Sequence, residues 1–142
     1  MTVYHVSEPI YDTWLTVFVC PDQADFLAEV ERRFNYRIKH QGWISGLYYC
    51  FRNEDGAWRD LLWLPTLKPS DPDSLKILVH EVYHYVAGVM TRLGIPPCVQ
   101  AEEPYAYMMG FVVNSLITAA KKKKSKRKPR FTKSREAVTI GA

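Results

Sequence analysis

The alternation of apolar and polar positions divides the first half of the chain into short β-strand and helix segments. Residues 14–20 are rich in β-branched and aromatic side chains and end at a proline, which is typical of a strand. A helical period follows over about residues 22–36. Segments 43–51 and 57–64 flank an Asp-Gly turn and predict a hairpin. The pattern therefore predicts a small antiparallel sheet accompanied by a helix.

The clearest predicted element is a long amphipathic helix that begins after Asp71 and ends before Gly94. Ser70-Asp71 offers the N-cap, Pro72 suits the first helical position, and Gly94 suits the residue just past the end. Apolar residues recur at steps of three and four along this segment: Leu75, Leu78, Val79, Val82, Val86, Val89 and Leu93. This spacing predicts a single buried face.

A last helix is predicted over about residues 100–120, with Pro104 tolerated in its first turn. Residues 104–120 are uncharged and are followed by four lysines, a pattern that can mark a membrane span. The run is short for a span, and it is interrupted by Asn114, Ser115 and Thr118. We therefore expect a buried helix and no transmembrane span.

Charge separates the chain into an acidic body and a basic tail. Residues 1–120 hold nine Lys and Arg against fourteen Asp and Glu, whereas residues 121–142 hold ten against one. We expect residues 1–120 to form a single domain and residues 121–142 to be a disordered basic tail. The segment Lys121–Arg135 could bind nucleic acid without sequence preference. It could also contact an anionic membrane surface, or act as a solubilising end with no specific partner.

The cysteines and the N-terminus favour a cytoplasmic protein. Cys20, Cys50 and Cys98 are odd in number and form no C-x-x-C pair, which argues against a disulfide framework and against cysteine-ligated zinc. The N-terminus carries no basic segment before an apolar run, so no signal peptide is predicted.

The long helix carries the motif H-E-x-x-H at residues 80–84. His80 and His84 project from one helical face and can bind one cation, and Glu81 lies beside them. Zinc suits two imidazoles and one carboxylate, with the fourth position left for water. The metal lowers the pKa of that water, and Glu81 can take its proton and pass it to a leaving amine.

The helical wheel indicates where the third ligand would lie. His80 and His84 fall about 140° and 180° from the centre of the apolar stripe, so they face solvent or a second packed layer. Glu103 lies nineteen residues after His84, past a Gly-Ile-Pro-Pro turn, where an antiparallel helix would bring it back toward the pair. Glu103 is preferred over its neighbour Glu102.

One further candidate and one simpler interpretation stand beside this site. Tyr107, one turn after Glu103, could donate a hydrogen bond to a tetrahedral oxyanion, or it could be a core residue. The whole motif could also belong to an ordinary surface helix that exposes His and Glu to solvent.

The motif and the later glutamate resemble the gluzincin, or thermolysin-like, metallopeptidases. Residues 78–111, with L-V-H-E-V-Y-H-Y, L-G-I-P and E-E-P-Y-A-Y-M-M-G-F, are similar to small phage-encoded metallopeptidases. The resemblance covers about a quarter of the chain. It implies that His80, His84 and Glu103 are zinc ligands and that Glu81 is the general base.

Three features set the chain apart from known zinc peptidases. The metzincin pattern is disfavoured, because Ala87 and Met90 occupy its glycine and third-histidine positions. The residue four after Glu103 is Tyr107 rather than an acid that would orient a histidine, and the chain has no large second subdomain to wall a cleft.

We therefore expect an α+β, minimal zincin-like domain. In it, a small antiparallel sheet packs on the H-E-x-x-H helix, and a second helix carries the third ligand. The expected function is zinc-dependent hydrolysis of a peptide or protein substrate, in the bacterial host cytoplasm or a virion if the chain is phage-encoded. The alternative is a non-enzymatic phage structural or assembly protein with a structural or vestigial metal site and a tail that contacts DNA.

Overall fold

A computed structural model describes residues 1–39 and 44–126, with the side chains of residues 125 and 126 excepted. The elements are β1 (Thr2–Glu8), β2 (Thr13–Val19), α1 (Gln23–Phe34), β3 (Leu47–Arg52), β4 (Trp58–Leu64), α2 (Pro72–Arg92) and α3 (Glu102–Lys126), with a short 3-10 turn at Val99–Ala101. The predicted α+β class is confirmed. The predicted strand from residue 43 begins at Leu47, and residues 40–43 lie outside the described part.

The four strands form a mixed sheet in the order β1-β2-β4-β3. β1 pairs antiparallel with β2, and β3 pairs antiparallel with β4, but the central strands β2 and β4 run parallel. The prediction of a purely antiparallel sheet was therefore wrong. The Asp-Gly turn correctly indicated the β3–β4 hairpin, but a local turn signal does not determine which strand of a hairpin joins the rest of a sheet.

Strand β1 was not predicted. Its sequence, TVYHVSE, mixes polar and apolar residues, and only Val6 and Glu8 in it are buried. Glu8 is fully buried because its carboxylate accepts the backbone N–H groups of Ile10 (3.0 Å) and Tyr11 (2.7 Å) in the turn that follows. Because a buried acid occupies a position where an apolar residue is expected, the sequence of β1 lacks the regular alternation that predicts a strand.

Helices cover both faces of the sheet. On one face, α1 buries Phe26 and Val30 against Phe18 and Trp63. Helices α2 and α3 lie on the other face, where Leu62 and Leu64 are buried. Because α1 has only twelve residues, it leaves part of its face of the sheet uncovered.

Helix α2 begins and ends where its sequence predicts. The Asp71 carboxylate accepts the backbone N–H of Asp73 (3.1 Å), Pro72 occupies the first turn, and Gly94 has a φ of 72°, as a residue just past a helix end often does. The strong caps are local interactions, which explains why the sequence reveals them.

The buried stripe of α2 is displaced slightly from the predicted one. Its fully buried members are Leu78, Val82, Tyr85, Val86, Val89 and Met90. Val79 and Leu93, expected to be buried with them, are 43% and 47% exposed. Val79 lies at the margin of the stripe and Leu93 is the C-cap, so neither reaches the sheet.

Helix α3 packs against α2 and β1. Its buried residues recur every four positions, at Met108, Val112, Leu116 and Ala120. The helix extends beyond the predicted end at Ala120 to Lys126, and the Lys123 ammonium donates to the Thr2 hydroxyl (2.6 Å). Among the helices of the described residues, none combines the length and the apolarity that crossing a bilayer requires. The predicted disorder of the tail concerns residues that mostly lie outside the described part.

Candidate metal centre

His80 and His84 lie together on the outer face of α2. Both side chains are exposed, opposite the stripe that contacts the sheet, as the helical wheel predicted. Their Nε2 atoms are 3.1 Å apart, and the rings meet edge to face with centroids 4.7 Å apart. Two imidazole nitrogens bound to one tetrahedral zinc ion would be about 3.3 Å apart, given Zn–N bonds of about 2.05 Å. The separation therefore suits two donors to one ion.

Glu81 lies on the flank of α2 that faces the edge strand β3. Glu81 is only 5% exposed, and the backbone N–H of Tyr48 lies near its carboxylate. Burial raises the pKa of Glu81, while electrostatic interaction with the neighbouring His80 and His84 and with the Tyr48 N–H acts in the opposite direction. The carboxylate is thus buried next to the Tyr48 backbone, one residue after His80.

Gly46 makes room for Glu81. A β-carbon at this position would lie 2.7 Å from Glu81 Cγ and 3.0 Å from Glu81 Oε1, closer than side chains pack. The absence of a side chain here lets the chain before β3 approach α2. No local pattern around Gly46 predicts this role, because the side chain that it accommodates belongs to α2, far away in sequence.

A buried polar network fixes β3 and β4 to the end of α2. The Tyr48 hydroxyl donates to Asp60 Oδ1 (2.6 Å), and Arg92 Nη2 donates to both Asp60 oxygens (2.9 and 2.7 Å). Burial raises the pKa of Tyr48 well above its ordinary value, and the negative charge of Asp60 is the second largest cause. The side chain of Tyr48 therefore belongs to this network, while the backbone N–H of Tyr48 lies near Glu81.

Gly88 of α2 accommodates the Tyr48 ring. A β-carbon at position 88 would lie 2.6 Å from the Tyr48 hydroxyl, which Asp60 and Arg92 hold in place. None of these residues was predicted as part of the site, since they come from three separate elements and carry no motif.

We expect Gly88→Ala to lower the free energy of unfolding by about 1–3 kcal/mol, as overpacked substitutions do. Gly110→Ala is the matched control, because it makes the same change in a helix with nothing within 4 Å of the new methyl group. It should instead stabilise by about 0.5–1 kcal/mol. Urea unfolding followed by far-ultraviolet circular dichroism measures both. Equal stabilisation by the two alanines would show that Tyr48 moves away freely.

The predicted third ligand does not join the histidine pair in the described residues. Glu102 and Glu103 are both exposed in the first turn of α3. Across residues 1–39 and 44–126, no group of three or more His, Cys, Asp or Glu side chains converges in a way that could hold a metal ion. Zinc, Glu103 as its third ligand, and the preference for Glu103 over Glu102 stay predictions.

Tyr107 lies against β1 rather than in the core. Its ring is 39% exposed and stacks on Phe111 with centroids 6.1 Å apart, and its hydroxyl donates to Glu8 Oε1 (3.2 Å). The interpretation of Tyr107 as a core residue is therefore wrong. Its predicted contact with an oxyanion stays a prediction, and the structure gives its hydroxyl a different acceptor.

The chain matches no protein-family model, no curated protein and no solved structure. Any functional assignment must therefore rest on the chemistry of the site itself.

Proposed function

We propose that the chain is a zinc-dependent metallohydrolase that cleaves peptide bonds. The observation that carries this proposal is the pair of exposed imidazoles on α2, with Nε2 atoms 3.1 Å apart. This separation lets one imidazole donate a hydrogen bond to the other, and it is also close to the spacing that two imidazole ligands of one tetrahedral zinc ion need.

The side chains around the pair suit a hydrolytic role. When bound with an open coordination position, zinc acidifies water and polarises a carbonyl oxygen. His80 and His84 would hold the ion, and Glu81 would accept a proton from the attacking water and return it to the leaving amine. The space at Gly46 supports this role, because it accommodates the Glu81 side chain beside the Tyr48 backbone N–H.

Glu103 would complete the site as the third ligand. It is exposed at the start of α3, which packs antiparallel to α2 through a short connection, and an exposed carboxylate can turn toward a cation. A catalytic zinc site usually has three protein ligands and one open position.

A second candidate function follows from the same region. In the described residues two imidazoles converge without a third ligand, which would also suit a vestigial or structural metal site in a non-enzymatic protein, such as a phage structural or assembly protein. A structural zinc is closed by a fourth protein ligand and gives no hydrolysis. The two candidates therefore differ in activity and not only in metal content.

Metal content tests the proposed site directly. We expect the full-length protein purified from zinc-supplemented medium to contain about one zinc ion per chain, and His84→Ala to contain essentially none. His5→Ala is the control, because His5 is an exposed histidine on β1 and should be dispensable. Elemental analysis by mass spectrometry gives the stoichiometry. Equal zinc in the wild type and His84→Ala, or none in either, would contradict the proposal.

A further inference from the structure

The part of the sheet that α1 leaves uncovered forms a groove. It has a volume of about 580 Å³ and opens beside the C-terminal end of α1. Arg33 lies on the helical side, and His5, Trp14, Thr16 and Arg59 come from three strands of the sheet. This groove lies on the opposite side of the sheet from α2 and its histidine pair, so it is a separate site.

Trp14 is the exposed aromatic surface of this groove. Its side chain is 63% exposed, and no ring or guanidinium of the described residues stacks on it. The other two described tryptophans differ. Trp58 has the guanidinium carbons of Arg52 and Arg92 within 4.9 Å of its ring centroid, and Trp63 stacks on Phe26. Trp14 alone of these three offers a free indole face.

Two arginines line the groove although the body of the chain is acidic. Arg33 and Arg59 line it, and each pairs with a carboxylate outside the lining, Glu29 and Asp55 respectively. A guanidinium has five N–H donors, so both retain donors for a ligand. Among the described lining residues the one carboxylate is Asp60, which is buried and neutralised by Arg92.

We propose that this groove binds single-stranded nucleic acid, with a base stacked on Trp14 and the flanking phosphates bound by Arg33 and Arg59. An exposed indole beside guanidinium groups is the combination that binds unpaired bases without sequence preference. An acidic peptide could form ion pairs with the two arginines, but its carboxylate side chains have no aromatic ring that could stack on the Trp14 indole. The basic segment Lys121–Arg135 supplies a second source of phosphate attraction in the same chain.

Fluorescence anisotropy with a labelled single-stranded oligonucleotide of about ten nucleotides tests the stacking contact on the full-length protein. We expect Trp14→Ala to weaken binding roughly tenfold and Trp14→Phe to retain most of it. Tyr83→Ala is the matched control, since it removes a 50% exposed aromatic ring from α2 on the other side of the sheet. Circular dichroism spectra of the variants verify that they fold.

Salt dependence tests the role of the two arginines. The slope of log affinity against log salt concentration should fall by about 0.7 for each phosphate that is no longer neutralised. We therefore expect Arg33→Gln and Arg59→Gln each to flatten the slope. His84→Ala should bind the oligonucleotide as the wild type does, which separates this proposal from the proposed metal site.

Three results would overturn the groove as a nucleic-acid site. Equal affinity of Trp14→Ala and the wild type would assign all binding to the basic tail. Absence of oligonucleotide binding by the wild type would remove the proposal altogether. Competition by a polyglutamate peptide as strong as that by unlabelled oligonucleotide would identify an acidic protein partner instead.

Discussion

Replacing Glu81 with glutamine should leave zinc binding unchanged and lower the rate of peptide hydrolysis by about two to four orders of magnitude. Glutamine has the same shape, and its side-chain oxygen can face the Tyr48 backbone N–H as the Glu81 carboxylate does. It cannot accept a proton from water. Hydrolysis of fluorogenic peptides and zinc content, measured on the same preparation, report the two properties separately.

Glu103→Gln is the matched control for Glu81→Gln, because the same chemical change is made in a residue with a different expected role. It should weaken zinc binding itself, since an amide is a poor substitute for an anionic ligand. Loss of zinc in Glu81→Gln with retention in Glu103→Gln would mean that the two roles are reversed. Unchanged zinc and unchanged activity in both variants would favour the assembly-protein alternative.

Replacing Arg92 with alanine should lower the free energy of unfolding by about 3–5 kcal/mol. Asp60 is 4% exposed, and Arg92 is its only cationic partner among the described residues. Without Arg92, the Asp60 carboxylate would remain buried with the Tyr48 hydroxyl as its side-chain donor. A buried charge without a counter-charge is strongly destabilising.

Arg59→Ala is the control for Arg92→Ala. Arg59 also pairs with an aspartate, Asp55, but both side chains are substantially exposed, at 37% and 58%. An exposed pair contributes about 1 kcal/mol or less. Urea unfolding followed by circular dichroism compares the variants. Tryptophan emission is not used, because Arg92 lies over the Trp58 ring and its removal would change the emission itself. Similar losses of stability in the two variants would show that the Asp60 pair behaves as a surface ion pair.

Sequence could predict the features that depend on neighbouring residues. The bounds of α2 follow from Asp71, Pro72 and Gly94, which act within a few positions of the helix ends. The exposure of His80 and His84 follows from helical periodicity, because the apolar stripe fixes which face is outward. These predictions needed no knowledge of the remaining fold.

Features that depend on distant residues could not be predicted in the same way. Arg92 bonds to Asp60 and Tyr48, which lie far from it in sequence. No motif near any of these three residues predicts that they meet. Gly46 and Gly88 matter because of what approaches them in space. Sequence analysis likewise gave no indication that β2 and β4 pair in parallel, which depends on how two separately predicted pieces dock.

The parallel pairing of β2 and β4 has a consequence for how the chain folds. The β1–β2 and β3–β4 hairpins each form from contacts between residues that are close in sequence, whereas the β2–β4 ladder joins Leu15 to Asp60 and Val19 to Leu64. Bringing β2 and β4 together closes a long loop, and this costs conformational entropy before the contacts between the two strands can stabilise the pair. Docking of the two preformed hairpins is therefore the step expected to limit the folding rate.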